Sequence, residues 1–265
     1  MLVAASVCPC PPLLVPEVAV GAAPELDAAR TACSDALAVL AAARPDRLVV
    51  VGPAEQAGRG LHPEGARGSF RAFGADVAVR LGRGGLPTPM TARTPETPQT
   101  PGAPDAHGTP DTRDASSARD LPPSLAVGAW LLERAGWSAA PVEGLGVGEP
   151  LEAERCTEVG REIGASSARV ALLVMGDASA CRTLKAPGYL DERAAPFDAE
   201  VARALGTADV AALRALDAEL AYDLKACGRA AWQVLAGAAE GAGLSGALLY
   251  EDAPYGVGYV VATWS

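Results

Sequence analysis

Only two histidines, His62 and His107, occur in 265 residues. That scarcity restricts any site that depends on imidazole for metal ligation or for proton transfer near neutral pH. Basic charge is scarce too: Lys and Arg number 22 against 32 Asp and Glu, a formal net charge of −10, with no run of basic residues. A surface that binds polyanions displays a basic stripe, so neither nucleic acid nor an anionic membrane surface is expected as a partner. No apolar run approaches the roughly 20 residues of a membrane span. No GxxxxGK(S/T) phosphate loop and no G-x-S-x-G elbow is present. Gly144-Leu145-Gly146-Val147-Gly148 lacks the full dinucleotide-loop spacing and the acidic residue about 20 positions further on.

A disulfide framework is also missing. Cys8, Cys10, Cys33, Cys156, Cys181 and Cys227 follow no framework spacing, and a chain of this length does not need staples. They are expected to be reduced thiols in a cytoplasmic protein. The apolar start, Leu2 to Val7, lacks a basic flank and is interrupted by Pro9, Pro11 and Pro12, so it reads as a buried strand rather than a signal peptide.

What is present is material for a core, with 49% hydrophobic residues, arranged as alternating strands and helices. Predominantly apolar runs at 2–7, 47–51, 169–175 and 247–251 predict strands buried on both faces. Residues 76–81 alternate and predict a half-exposed strand. Another strand is expected at 141–147, and a closing one at 256–263 that packs Tyr255, Tyr259 and Trp264 around it. Alanine-rich, helically spaced stretches predict helices over 24–43, 124–135, 150–164 and, as three helices, 196–242. Residues 83–123 break the pattern. Seven prolines between Pro87 and Pro110 are interleaved with Thr, Gly, Ala and Asp, with few large apolar residues, which predicts a flexible surface insertion within one domain spanning 1–265. The fold class is therefore α/β, with a mostly parallel central sheet and helices on both faces. Ligands bind such sheets beyond the carboxyl ends of the strands, which gathers Cys8–Pro12, Gly52–Ala54, Gly176–Cys181 and Glu251–Pro254 around one pocket.

Two segments carry a resemblance. VCPCPPLLVPEV (7–18) resembles the opening of the class III extradiol ring-cleavage dioxygenase catalytic subunits, the LigB-like family, where a strand ends in a C-P-H-P-P-like loop. LLYEDAPYGVGY (248–259) is similar to the family's closing strand and its glutamate. The resemblance implies a non-haem Fe(II) held by two histidines and one carboxylate, with a further histidine for proton transfer. In those terms Glu251 matches the carboxylate. Cys10 stands at the first ligand histidine, Ala54 at the second and Ala180, with Cys181 next to it, at the acid–base histidine. His62, on the loop after the same strand as Ala54, is either a replacement imidazole or a surface histidine beside Pro63 and Glu64.

The candidate metal set is Cys10, Glu251 and His62, with Cys8 or Cys181 as further thiols. The metal is Fe(II) by resemblance, or zinc or copper where thiolate replaces imidazole. Read without the resemblance, Cys8 and Cys10 are small buried hydrophobes. Three functional readings stand together. One is an extradiol-dioxygenase-like oxidoreductase with a degenerate metal site, not expected to cleave simple catechols. The second is a non-catalytic ligand-binding or interaction protein on the same fold, and the third a thiolate- or zinc-dependent enzyme of another class. A small molecule is the expected partner; oligomeric state is open.

Overall fold

The computed structural model describes residues 1–83 and 119–265. The strands are β1 (Leu2–Cys8), β2 (Arg47–Pro53), β3 (Gly60–His62), β4 (Arg67–Ser69), β5 (Ala78–Arg80), β6 (Val142–Val147), β7 (Val170–Met175), β8 (Gly246–Asp252) and β9 (Tyr259–Trp264). The helices are α1 (Pro16–Ala19), α2 (Asp27–Ala42), α3 (Pro123–Arg134), α4 (Ala153–Gly164), α5 (Ala194–Gly206), α6 (Val210–Arg214), α7 (Ala218–Asp223) and α8 (Arg229–Ala238).

Seven strands form one sheet in the order β3-β6-β2-β7-β1-β9-β8. The central four, β6, β2, β7 and β1, run parallel. β3 is antiparallel to β6, and β9 to β1. β8 is antiparallel to β9 and so points the same way as β1 again. Helices cover both faces, as the apolar runs predict. Successive residues of the central strands alternate between two cores. Val7, Val49, Val51, Leu172 and Val174 pack with α4, α5 and α8. Ala4, Cys8, Leu48, Val50, Leu173 and Met175 pack with α2 and α3. All six residues of β7 are buried, so the strand needs apolar side chains at every position rather than at every second one.

Two expectations are adjusted by position in the sheet. The run 247–251 does join the sheet, but as β8 at its edge, with Leu248 and Leu249 exposed. An edge strand has one neighbouring strand, and β8 packs chiefly against α5 and α2, so it cannot be buried like β1, β2 and β7. Residues 76–81 contribute only β5, paired with β4 in a separate two-stranded sheet. The 196–242 region holds four helices rather than three, because Asp209 and Asp217 each cap a short extra helix by accepting a backbone N–H three residues on. Most of the 83–123 insertion lies outside the described residues. No helix among the described residues is long and apolar enough to cross a membrane.

Helix α8 sets up the site that follows. It crosses α4 with backbones in contact: a methyl group at Gly160 would run into the Val234 carbonyl, and one at Gly237 into that of Thr157. Glycine at both positions lets the two helices approach closely over β7. The N-terminal end of α8, and Cys227 before it, are thereby held against the end of that strand.

Candidate functional site

The parallel strands β1, β2, β6 and β7 end at one edge of the sheet, and a cavity of about 870 Å³ opens there. Its walls are largely apolar: Pro11, Pro12, Leu13, Pro53, Ala54, Pro122, Pro150, Tyr255 and Tyr259 all line it. The size suits a small molecule.

Three potential metal donors converge in this cavity. Cys10 Sγ, Cys227 Sγ and an Asp177 carboxylate oxygen all lie within 4.8 Å of one another. Each arrives from a different element. Cys10 sits two residues beyond β1, and its backbone N–H donates to Asp177 Oδ1 at 2.7 Å. Asp177 follows β7 through Gly176, whose N–H donates to the Cys8 carbonyl at 3.0 Å. Cys227 precedes α8, and the Asp177 N–H donates to its sulfur at 3.5 Å. The Gly228 N–H, donating to the Asp177 carbonyl at 3.0 Å, closes the arrangement. The chain approaches this tightly because both positions are glycine: a side chain at Gly176 would strike the Gly228 Cα, and one at Gly228 would strike the Trp232 ring.

The electrostatics are those of acids forced together. Burial pushes the Asp177 carboxyl up to about 7, with the Cys10 N–H opposing the shift. The Cys10 thiol is raised well above its ordinary value, first by its hydrogen bond with Cys227, then by burial and by the Asp177 charge. No Arg or Lys forms an ion pair with Asp177 among the described residues. Burial without a countercharge favours the protonated Asp177 carboxyl, and a cation held by the cluster would offset that penalty. A second carboxyl lines the cavity. Glu149, on the loop after β6, is raised to about 7 by burial, with the Arg229 charge acting against it.

Of the residues expected to hold a metal, Cys10 is in the cluster and the others are elsewhere. Glu251 is exposed on β8, opposite Val260 of β9 and two strands away from β1. His62 is buried in β3, its Nε2 2.8 Å from the Gly58 carbonyl oxygen, and it does not line the cavity. Ala54 lines the cavity; Ala180 is buried with its N–H donating to Leu224. Cys181 contacts the Leu224 carbonyl, and Cys8 hydrogen-bonds Cys33 within the α2-side core. His107 lies outside the described residues. Tyr259 and Trp264 pack against the closing strands as expected, while Tyr255 and Tyr259 also form part of the cavity wall.

Asp177 fell within the Gly176–Cys181 segment expected at the pocket but was given no role there, and neither Cys227 nor Glu149 was placed at it. A usable signal existed: Met175-Gly176-Asp177 closes the most apolar strand, and Cys227-Gly228 opens the buried helix. The two glycines are what the juxtaposition requires.

The donor set does not fit Fe(II) of the two-histidine, one-carboxylate type, because two thiols and a carboxylate are present and no imidazole reaches the cavity among the described residues. It fits a borderline-soft divalent ion such as zinc. Zinc–sulfur bonds of about 2.3 Å and zinc–oxygen bonds of about 2.1 Å put tetrahedral ligand atoms roughly 3.4–3.8 Å apart, which the span of this cluster, within 4.8 Å, can accommodate.

No family model matches the chain, and no curated protein matches it. Among solved structures it is similar to the crystal structure of an uncharacterized Escherichia coli K12 protein, JW3007, at 15% identity and a TM-score of 0.49, over 99% of this chain and 100% of that one.

Proposed function

We propose that the chain is a metal-dependent protein acting on a small, largely apolar molecule, with a zinc-type ion held by Cys10, Asp177 and Cys227 at the floor of the strand-end cavity. The observation that carries this reading is the convergence of three possible ligand atoms within 4.8 Å on a cavity of about 870 Å³. Three protein ligands leave a tetrahedral ion one open position, which is the pattern of catalytic rather than structural zinc. An ion there would polarise a bound oxygen or carbonyl without redox chemistry. Ring cleavage by Fe(II) and O₂, implied by the likeness of segments 7–18 and 248–259 to extradiol dioxygenases, is not supported by this donor set. The scaffold resemblance and the reaction are separable.

Metal analysis of protein purified from cells and stripped of loosely bound ions tests the proposal. One equivalent of zinc per chain, lost in Cys10→Ser and in Cys227→Ser with the fold retained, is the expected outcome. A metal-free protein that also fails to take up zinc would leave only the ligand-binding reading, for which the apolar cavity is the support.

A further inference from the structure

The second carboxyl of the cavity has an oxygen that the surrounding protein does not pair. Glu149 Oε1 is shielded from solvent and has no hydrogen-bond partner among the described residues. A buried acceptor left this way costs free energy unless a bound group supplies the donor. The nearby cation acts on the carboxyl through its charge without bonding it: the Arg229 terminal nitrogens donate to the carbonyls of Leu151 (2.7 Å) and of Glu149 itself and to Gln233 Oε1 (2.9 Å), while its Nε is, like Glu149 Oε1, buried without a partner. No ion pair joins it to the Glu149 carboxyl among the described residues. Nor does Glu149 belong to the donor cluster, which consists of Cys10, Asp177 and Cys227. It lines the same cavity, close enough for its charge to act on the Cys10 thiol.

We infer that Glu149 is the proton acceptor of this site, taking a proton onto its carboxylate from a water or ligand hydroxyl held at the open position of the metal. The inference rests on the metal-centre reading above. In the step, the O–H bond breaks and its electron pair stays on that oxygen, whose charge a cation held by Cys10, Asp177 and Cys227 would offset. The new bond is between the proton and the Glu149 carboxylate. No oxidant or reductant is involved. The ligand class this favours carries a hydroxyl, or reacts with an activated water, on an otherwise apolar frame. A carboxyl that burial has raised to about 7 is suited to exchange protons near neutral pH.

The test uses full-length protein loaded anaerobically with Co²⁺, whose visible bands report the ligands and the ionisation of a bound water. Wild type is expected to bind one Co²⁺ with thiolate charge-transfer bands and to show a pH-dependent change of its ligand-field bands. Glu149→Gln is expected to keep the stoichiometry and the thiolate bands while moving the midpoint of that change by about half a pH unit or more, because a neighbouring charge is removed. Glu149→Asp should restore part of the wild-type profile. An unchanged midpoint in a folded, Co²⁺-loaded Glu149→Gln protein overturns the inference and leaves the metal reading standing. Loss of Co²⁺ from that variant makes Glu149 a ligand and overturns it too. A wild type that binds no Co²⁺ through thiolate sinks both. Should Glu149→Gln fail to fold, infrared spectra of the wild type carry the test: a carboxyl band must titrate together with the cobalt bands, and its absence overturns the inference.

Discussion

The two ends of the chain begin alike and finish differently. Near the N-terminus, an apolar strand, β1, runs into Cys8-Pro9-Cys10 and delivers Cys10 to the donor cluster. Near the C-terminus, an apolar strand, β8, runs into Glu251 and leaves it exposed. Both strands point the same way, so both polar ends emerge at the same edge of the sheet. The difference is strand order. β1 sits beside β7, whose end carries Asp177, whereas β9 separates β8 from β1. Hydropathy announces a strand; it does not announce the neighbour, and the neighbour decides which side chains meet.

Replacing Asp177 by Ala, or either thiol by Ser, is expected to weaken zinc binding about 100-fold or more, since each removes one of three protein ligands. Glu251→Gln and His62→Gln are expected to leave zinc affinity within about twofold, as neither residue is in the cluster. Competition titration against a chelator measures all five. A large loss in Glu251→Gln would bring the C-terminal strand back into the site.

Next in size is the backbone approach that gathers the donors. Gly228→Ala forces a methyl into the Trp232 ring and should destabilise the protein by about 1–3 kcal/mol through overpacking, while lowering metal affinity. Denaturant unfolding with and without zinc reads both effects. A neutral result would mean that the Cys227 turn relaxes without consequence.

The third expectation concerns pH. The Asp177 and Glu149 carboxyls titrate at about 7 in the folded protein, above their ordinary values of 3.8 and 4.5. The folded state therefore binds more protons than the unfolded state between those limits. Stability of the metal-free protein should fall as pH rises from about 4 towards 7 and then level off. Zinc affinity should change in the opposite sense, rising with pH as the ligands lose their protons. Asp177→Asn should flatten part of the stability profile. Melting curves across this range check it, and a wild-type profile that rises through the interval would contradict the environment described for these carboxyls.

The smallest effect belongs to the edge. Glu251→Ala should alter stability by no more than about 0.5 kcal/mol, as expected for an exposed position away from special features. A larger loss would show that the edge strand is covered in solution.

Much of the layout was legible in the residues, and the site was only half so. The runs Arg47–Val51 and Arg169–Met175 predict strands buried on both faces, and β2 and β7 are such strands at the centre of the sheet. Cys10 stood out through the likeness of segment 7–18 to the dioxygenase loop; read without that likeness, it was one of two small buried hydrophobes at a strand end. Asp177 and Cys227 are 50 residues apart, and their meeting depends on how α8 packs over β7. That packing is fixed by Gly160, Gly176, Gly228 and Gly237, residues whose role is to be absent as side chains and which leave no periodic signal. His62 misled for a related reason. It follows the same strand as Ala54, but the chain turns back to form β3 and the imidazole is taken up by the Gly58 carbonyl.

Whether Cys10, Asp177 and Cys227 share one metal ion is read directly by extended X-ray absorption spectroscopy at the zinc edge on zinc-loaded protein. About two sulfur scatterers near 2.3 Å with oxygen completing the shell are expected, and one sulfur fewer in Cys227→Ser. A shell of oxygen and nitrogen alone, or one unchanged by that substitution, would contradict a shared ion.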